Sequence, residues 1–144
     1  MRIIRPMNRT DVPPISELEA KSFSMPWSAE AFMDLIADEC SLYLVAEEDG
    51  VLVGCCGVTN ILGEGNINNV VVDADYRGRG IATDLLRELF VYGEKMGIKE
   101  YTLEVRVSNA PAIHVYEKMG FVSEGIRPRF YEKPIEDAMI MWKR

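Results

Sequence analysis

The sequence predicts an α/β (α+β) fold, a mixed central sheet of about six to seven strands flanked by about four helices. Three observations carry this. Strand-like segments follow one another through turn signals between residues 42 and 72. A long amphipathic helix then begins after a glycine-rich turn. Beyond it strand-like and helix-like segments alternate, and such units put helices on the faces of a sheet.

In order along the chain, residues 2–5 read as a first strand. Thr10 or Asp11 caps a helix containing Ile15, Leu18 and Phe23, with Pro13 tolerated in its first turn, where the missing N–H has no helical partner to lose. Ser24-Met25-Pro26-Trp27 interrupts the pattern, and Ser28 suits the N-cap of a second helix with Phe32, Leu35 and Ile36 on one side. Residues 42–46 and 51–53 flank Asp49-Gly50, a pair that accepts the positive φ angles of a tight hairpin turn. Gly63-Glu64-Gly65-Asn66 reads as a second turn and residues 67–72 as the next strand. Ile81, Leu85, Leu86, Leu89, Phe90 and Met96 recur at helical spacing, capped by Gly97. Residues 101–107 alternate as a half-buried strand, 110–119 read as a helix ended by Gly120, and 121–122 and 138–142 close the sheet.

With 144 residues, 48% of them hydrophobic, the chain is expected to be one domain, 1–144, with one core. The start is too polar for a signal peptide, and no run of about 18 apolar residues could span a bilayer, so a cytoplasmic protein without a membrane partner is expected. Cys40, Cys55 and Cys56 contain no CxxC spacing and His114 is the single histidine, so no metal is expected; the three thiols read as reduced and mostly buried. A net charge of −7 disfavours nucleic acid and suits a positively charged peptide. The oligomeric state stays open, with a monomer favoured.

The turn Arg77-Gly78-Arg79-Gly80-Ile81-Ala82-Thr83 lies between a strand and the long helix. First-turn N–H groups have no internal partners and the helix dipole favours negative charge, so glycines that let an anion approach make a pyrophosphate cradle. A plain surface turn and half of a dinucleotide-binding fingerprint, Gly78-x-Gly80 with Glu100 about twenty residues on, are the alternatives. For the second, a third glycine is missing at Ala82 and Thr83.

Arg77-Gly78-Arg79-Gly80-Ile81-Ala82 resembles the (Q/R)-x-x-G-x-(G/A) signature of the GNAT acetyltransferases, and Val72-Asp73-Ala74-Asp75-Tyr76 is similar to its usual lead-in. Leu103-Glu104-Val105-Arg106-Val107-Ser108-Asn109 and Ala112 to Phe121 resemble the RimI-type ribosomal-protein-alanine N-acetyltransferases, as do Pro26-Trp27-Ser28 and Glu136-Asp137-Ala138. Met25 and Phe130 depart from that pattern, at positions where the family has peptide-binding loops. The resemblance implies the GNAT fold and acetyl-CoA as co-substrate, with a protein N-terminus, possibly of a ribosomal protein, as acceptor. It implies that backbone at Val70, Val71 and Val72 binds the acetyl and pantetheine groups, that Asn109 touches the pantetheine–phosphate part, that Glu104 is the general base and Tyr116 the general acid. Trp27 and Tyr131 are expected to wall the peptide entrance, with a plain packing role for Trp27 equally open. Acetylation of a small amine or a lysine, and a non-catalytic CoA-binding module, remain open at this point.

The residues themselves support parts of this. Glu104 is a polar position on an alternating strand, which pattern alone reads first as a half-exposed surface position. Tyr116 follows Asn109 by seven residues, so the two share a helix face roughly 10 Å apart along the axis. His114 falls off that face. An α-amine, with a pKa of about 7.7–8.0 against about 10.4 for lysine, needs only modest help to lose its proton.

Overall fold

Strands that are apolar on both faces need cover on both sides, and the chain supplies two helices for each. A computed structural model describes residues 1–23 and 26–144; the expected interruption at Ser24 and Met25 lies outside them. The strands are β1 (Arg2–Pro6), β2 (Ser41–Glu48), β3 (Val51–Ile61), β4 (Glu64–Val72), β5 (Glu100–Arg106), β6 (Val122–Tyr131) and β7 (Glu136–Lys143). The helices are α1 (Val12–Ser22), α2 (Ala29–Ala37), α3 (Ile81–Lys95) and α4 (Ala110–Lys118). Among the described residues the sheet order is β1-β2-β3-β4-β5-β7-β6, antiparallel throughout except for the parallel pair β4–β5.

The period-2 alternation of the strands sorts side chains onto two cores. Leu44, Cys56, Val58, Leu103 and Val105 meet Ile81, Leu85, Leu86 and Leu89 of α3 and Tyr116 of α4. On the other face Tyr43, Val45, Cys55 and Val71 meet Ile15 and Leu18 of α1 and Phe32 of α2. The adjacent thiols Cys55 and Cys56 thus lie on opposite faces and are buried, but Cys40 is exposed, because it sits in the turn before β2 and not in a strand.

Local chemistry accounts for the element ends. The Ser28 hydroxyl accepts from the Ala31 N–H at 3.1 Å and caps α2. Asp49 and Gly50 take φ of 50° and 85° in the β2–β3 turn. Three expectations need correction. Asp11 is the N-cap residue of α1 as expected, but its side chain makes no capping bond there; the capping oxygen is that of Asn8, which accepts from the Thr10 N–H in the short turn Arg9–Asp11, while the Asn8 N–H donates back to the Asp11 carboxylate. Phe23 lies beyond α1 in extended backbone. The second turn is Leu62-Gly63, with φ of 52° and 94°, and Glu64, Gly65 and Asn66 already belong to β4. They read as turn residues because Gly and Asn are poor strand formers alone; pairing on both sides overrides that preference.

A buried carboxylate joins α1 to the sheet. Glu19 is 1% exposed; one of its oxygens accepts from the Asn69 side-chain amide on β4 and, at 3.5 Å, from the Trp27 N–H in the α1–α2 connection. Among the described residues its other oxygen has no hydrogen-bond partner. Burial raises the Glu19 pKa to about 7, against the two hydrogen bonds that lower it. The folded value lies above the unfolded one of 4.5, so this group's contribution to stability is fully present below about pH 4.5 and is lost as pH rises through about 7. Glu19→Gln should flatten that slope: between pH 5 and 8, urea unfolding of the wild type should lose roughly 1–3 kcal/mol more than the variant loses. Parallel pH dependences would contradict the assignment.

Candidate active site

The site begins with a missing residue pairing. Gly57 pairs with Asn69 and Val58 with Ile67, so Asn68 is a bulge in β4. The extra residue shifts the side-chain alternation by one: Ile67 faces the α3 core, whereas Val71, four residues on, faces the α1–α2 core. The bulge also bends β4 away from β5. Their pairing is confined to Glu64, Gly65 and Asn66 with Glu100, Tyr101 and Thr102. Beyond it the two strands part, and the β5-facing edge of Val70, Val71 and Val72 can hydrogen-bond an extended ligand as an added strand would.

The parting opens into a cavity of about 370 Å³. Val70, Val71 and Val72 form one wall, Asn109 and Tyr116 of α4 another, and Arg77, Gly78, Gly80, Ile81, Ala82 and Thr83 close the end. Gly78 and Gly80 have φ of 77° and 79°, a region that a branched side chain avoids. Gly80 is the N-cap of α3 and offers no side-chain oxygen, so the N–H groups of the first turn carry no side-chain cap and the positive end of the dipole faces the cavity. Arg77 reaches back to the Val72 carbonyl at 3.4 Å. Arg79 does not line the cavity: its guanidinium lies over the Tyr76 ring, 5.0 Å from the centroid, because an exposed cation gains from an aromatic face. Asn109 also caps α4, accepting from the Ala112 N–H at 3.3 Å. Its helix face, expected from the spacing, brings Ala112 and Val115 into the wall as well. Ser22, Phe23, Tyr76 and Pro111 complete the lining; only the first two needed tertiary information, since they come from the end of α1.

Glu104, Tyr131 and Trp27 lie outside the cavity lining. Leu103 and Val105 point into the α3 core, so Glu104 faces the opposite side of the sheet, beyond the cover of α1 and α2. Its side chain is 36% exposed and its carboxylate is 3.7 Å from Arg127. Burial first, and then the negative charge of Glu104, push the Tyr131 phenol up to about 12. Arg106 lies over the Tyr131 ring at 4.4 Å. Burial holds the Tyr116 phenol well above its ordinary value, with smaller contributions from Tyr131 and Cys56. Trp27 packs on Phe32, ring centroids 5.9 Å apart, as a core-side aromatic. His114 is exposed.

A cavity lined by a glycine turn at an uncapped helix start and by a buried phenol suits an extended anionic ligand. Comparison with known proteins points to one family. The sequence profile of the acetyltransferase (GNAT) family matches residues 12–121. The chain is 34% identical over 143 residues to the ribosomal protein bS18-alanine N-acetyltransferase of Escherichia coli strain K12, covering 98% of this chain and 96% of that protein. It matches the crystal structure of the ribosomal-protein-S18-alanine N-acetyltransferase from Escherichia coli with a TM-score of 0.90 at 33% identity, over 99% of this chain and 93% of that one. Ard1 from Thermoplasma volcanium has a TM-score of 0.90 at 24% identity, over 99% and 96%, a likeness of fold.

Gly80→Val should weaken CoA binding by about tenfold or more, because a β-branched residue at this φ forces the loop to rearrange. Calorimetric titration of CoA into the folded variant measures it. Wild-type affinity would remove the pyrophosphate assignment.

Proposed function

The chain belongs to the acetyltransferase (GNAT) family, and from that premise we propose that it transfers the acetyl group of acetyl-CoA to the N-terminal α-amine of a protein. The terminal alanine of a ribosomal protein, as acted on by its relatives, is the first acceptor to test. The observation that carries this reading is the parting of β4 from β5, with uncapped helix N–H groups at one end and Tyr116 at the other. The pyrophosphate lies on the α3 terminus. The pantetheine arm runs along Val70–Val72 with its amides paired to the strand edge, which leaves the thioester beside Tyr116.

The acceptor amine comes from the opposite face, where Glu104 and Tyr131 lie. Glu104 takes the proton of the ammonium, and the exposure of its carboxylate favours a relay through water. The neutral amine attacks the thioester carbonyl carbon, and backbone N–H groups of β4 stabilise the oxyanion. As the tetrahedral intermediate collapses, the C–S bond breaks, the Tyr116 hydroxyl protonates the departing thiolate, and the second proton, lost from the acetylated nitrogen, passes through solvent to restore the phenol. Burial raises the Tyr116 pKa, so the phenol is protonated at neutral pH and its phenolate recovers a proton readily after the transfer. Tyr131 and Trp27 border the peptide entrance.

Two experiments test this reading. Peptides with a free α-amine should be acetylated at least about tenfold faster at neutral pH than N-terminally blocked peptides carrying lysine, in part because of the lysine pKa. Equal rates, read by mass spectrometry, would remove the N-terminal assignment. Glu104→Gln should lower kcat/KM by about 10²–10⁴, with the loss shrinking above about pH 8 as more amine is already neutral. Tyr116→Phe should show a defect that raising pH does not repair, with CoA binding retained. Full activity of Glu104→Gln at pH 7 would place the base elsewhere.

A further inference from the structure

We propose that Arg2 is a positioning residue for the anion cradle: packed behind the loop, its guanidinium holds the Arg79 carbonyl and the Asp84 carboxylate, leaving the first-turn N–H groups of α3 free for a pyrophosphate. The proposal rests on the acetyl-CoA reading of the cavity and adds a residue that no sequence motif marked.

The contacts are specific. Arg2 Nη1 donates to Asp84 Oδ2 at 2.7 Å and Nη2 to the Arg79 carbonyl at 3.0 Å. Nε donates to Glu48 Oε1 at 2.7 Å, and Nη2 lies 2.6 Å from the same oxygen, so the planar group is anchored on β2. The side chain is 23% exposed. Arg2 does not line the large cavity; it lines a smaller cleft on the outer side with Ile4, Asp84, Arg87 and Glu88. It therefore acts on the loop from behind and does not touch the ligand.

Two physical effects make this matter. The Arg79 peptide lies between Gly78 and Gly80, both at positive φ, where the backbone has wide freedom. One hydrogen bond from a fixed guanidinium sets the loop's tilt. Asp84 is an acid in the first turn of a helix that has no side-chain cap. The same dipole and N–H groups that attract a pyrophosphate attract this carboxylate. Arg2 draws it outward and neutralises it. Arg87, the other cation on Asp84 among the described residues, is 3.8 Å away and 69% exposed, where screening leaves it little effect.

The test compares two acetyl donors, acetyl-CoA and S-acetyl-pantetheine, which has the same thioester and amides but no phosphates. Arg2→Ala should weaken CoA binding by calorimetry, and raise KM for acetyl-CoA, by about tenfold, the loss expected for charge-assisted hydrogen bonds. Turnover of S-acetyl-pantetheine should stay as in the wild type. Arg2→Lys should recover part of the affinity, since an ammonium can pair with Asp84 but lacks the fork that reaches Arg79 as well. Unchanged CoA affinity in Arg2→Ala would overturn the proposal, and so would equal losses with both donors, which mark general loosening. If Arg2→Ala does not fold, Arg2→Lys decides: a loss confined to acetyl-CoA supports the proposal and no loss overturns it. A wild-type protein that does not bind CoA would refute the acetyl-CoA reading itself, whereas wild-type binding with an indifferent Arg2 variant refutes only the role of Arg2.

Discussion

Everything about the site depends on β4 and β5 pairing for three residues and no further. Parallel strands in one sheet would ordinarily satisfy each other's backbone groups along their length. Here the pair is closed at its base, where Gly65 lets Tyr101 and Ile98 pack against β4; a Cβ at Gly65 would come within 2.9 Å of both. It is then opened by the bulge at Asn68. A strand edge inside a cavity is costly to leave unpaired, which makes it a receptor for a ligand that brings its own amides.

Holding the strands apart requires support from both faces. On one side α3 packs closely on β3, with Gly54 leaving room for Ile81 and Leu85. On the other, Glu19 and Asn69 tie α1 and its following connection to the strand just past the bulge. The buried carboxylate costs stability near neutral pH, as its raised pKa records. Its placement at the joint between the cavity's valine wall and Trp27 gives that cost a structural return.

Charge is distributed by role. The chain as a whole is acidic, yet the cavity's glycine-rich end presents backbone N–H groups and the positive end of a helix dipole, with Arg77 beside them. On the opposite face of the sheet Glu104, Arg127, Tyr131 and Arg106 form a mixed cluster, and Arg106 is engaged by Glu136 at 3.3 Å as well as by the Tyr131 ring. Net charge describes the far field that a peptide meets first. It does not describe this local set.

Much of the fold was legible because period-2 and period-3.6 patterns and turn residues report directly on local backbone preference. Asp49-Gly50, Ser28 and the helix from Ile81 needed only their neighbours to take the forms they take. The glycine loop and the shared face of Asn109 and Tyr116 were legible for the same reason, since a turn and a helix face are local objects. The start of β4 at Glu64 was not, because residues with poor strand preference were placed there by pairing on two sides. The bulge at Asn68, the parting that follows, the Glu19–Asn69 joint across 50 residues and the reach of Arg2 to Asp84 across 82 were decided only by tertiary structure. Each depends on which segments meet in space, and a sequence pattern carries no direct record of that.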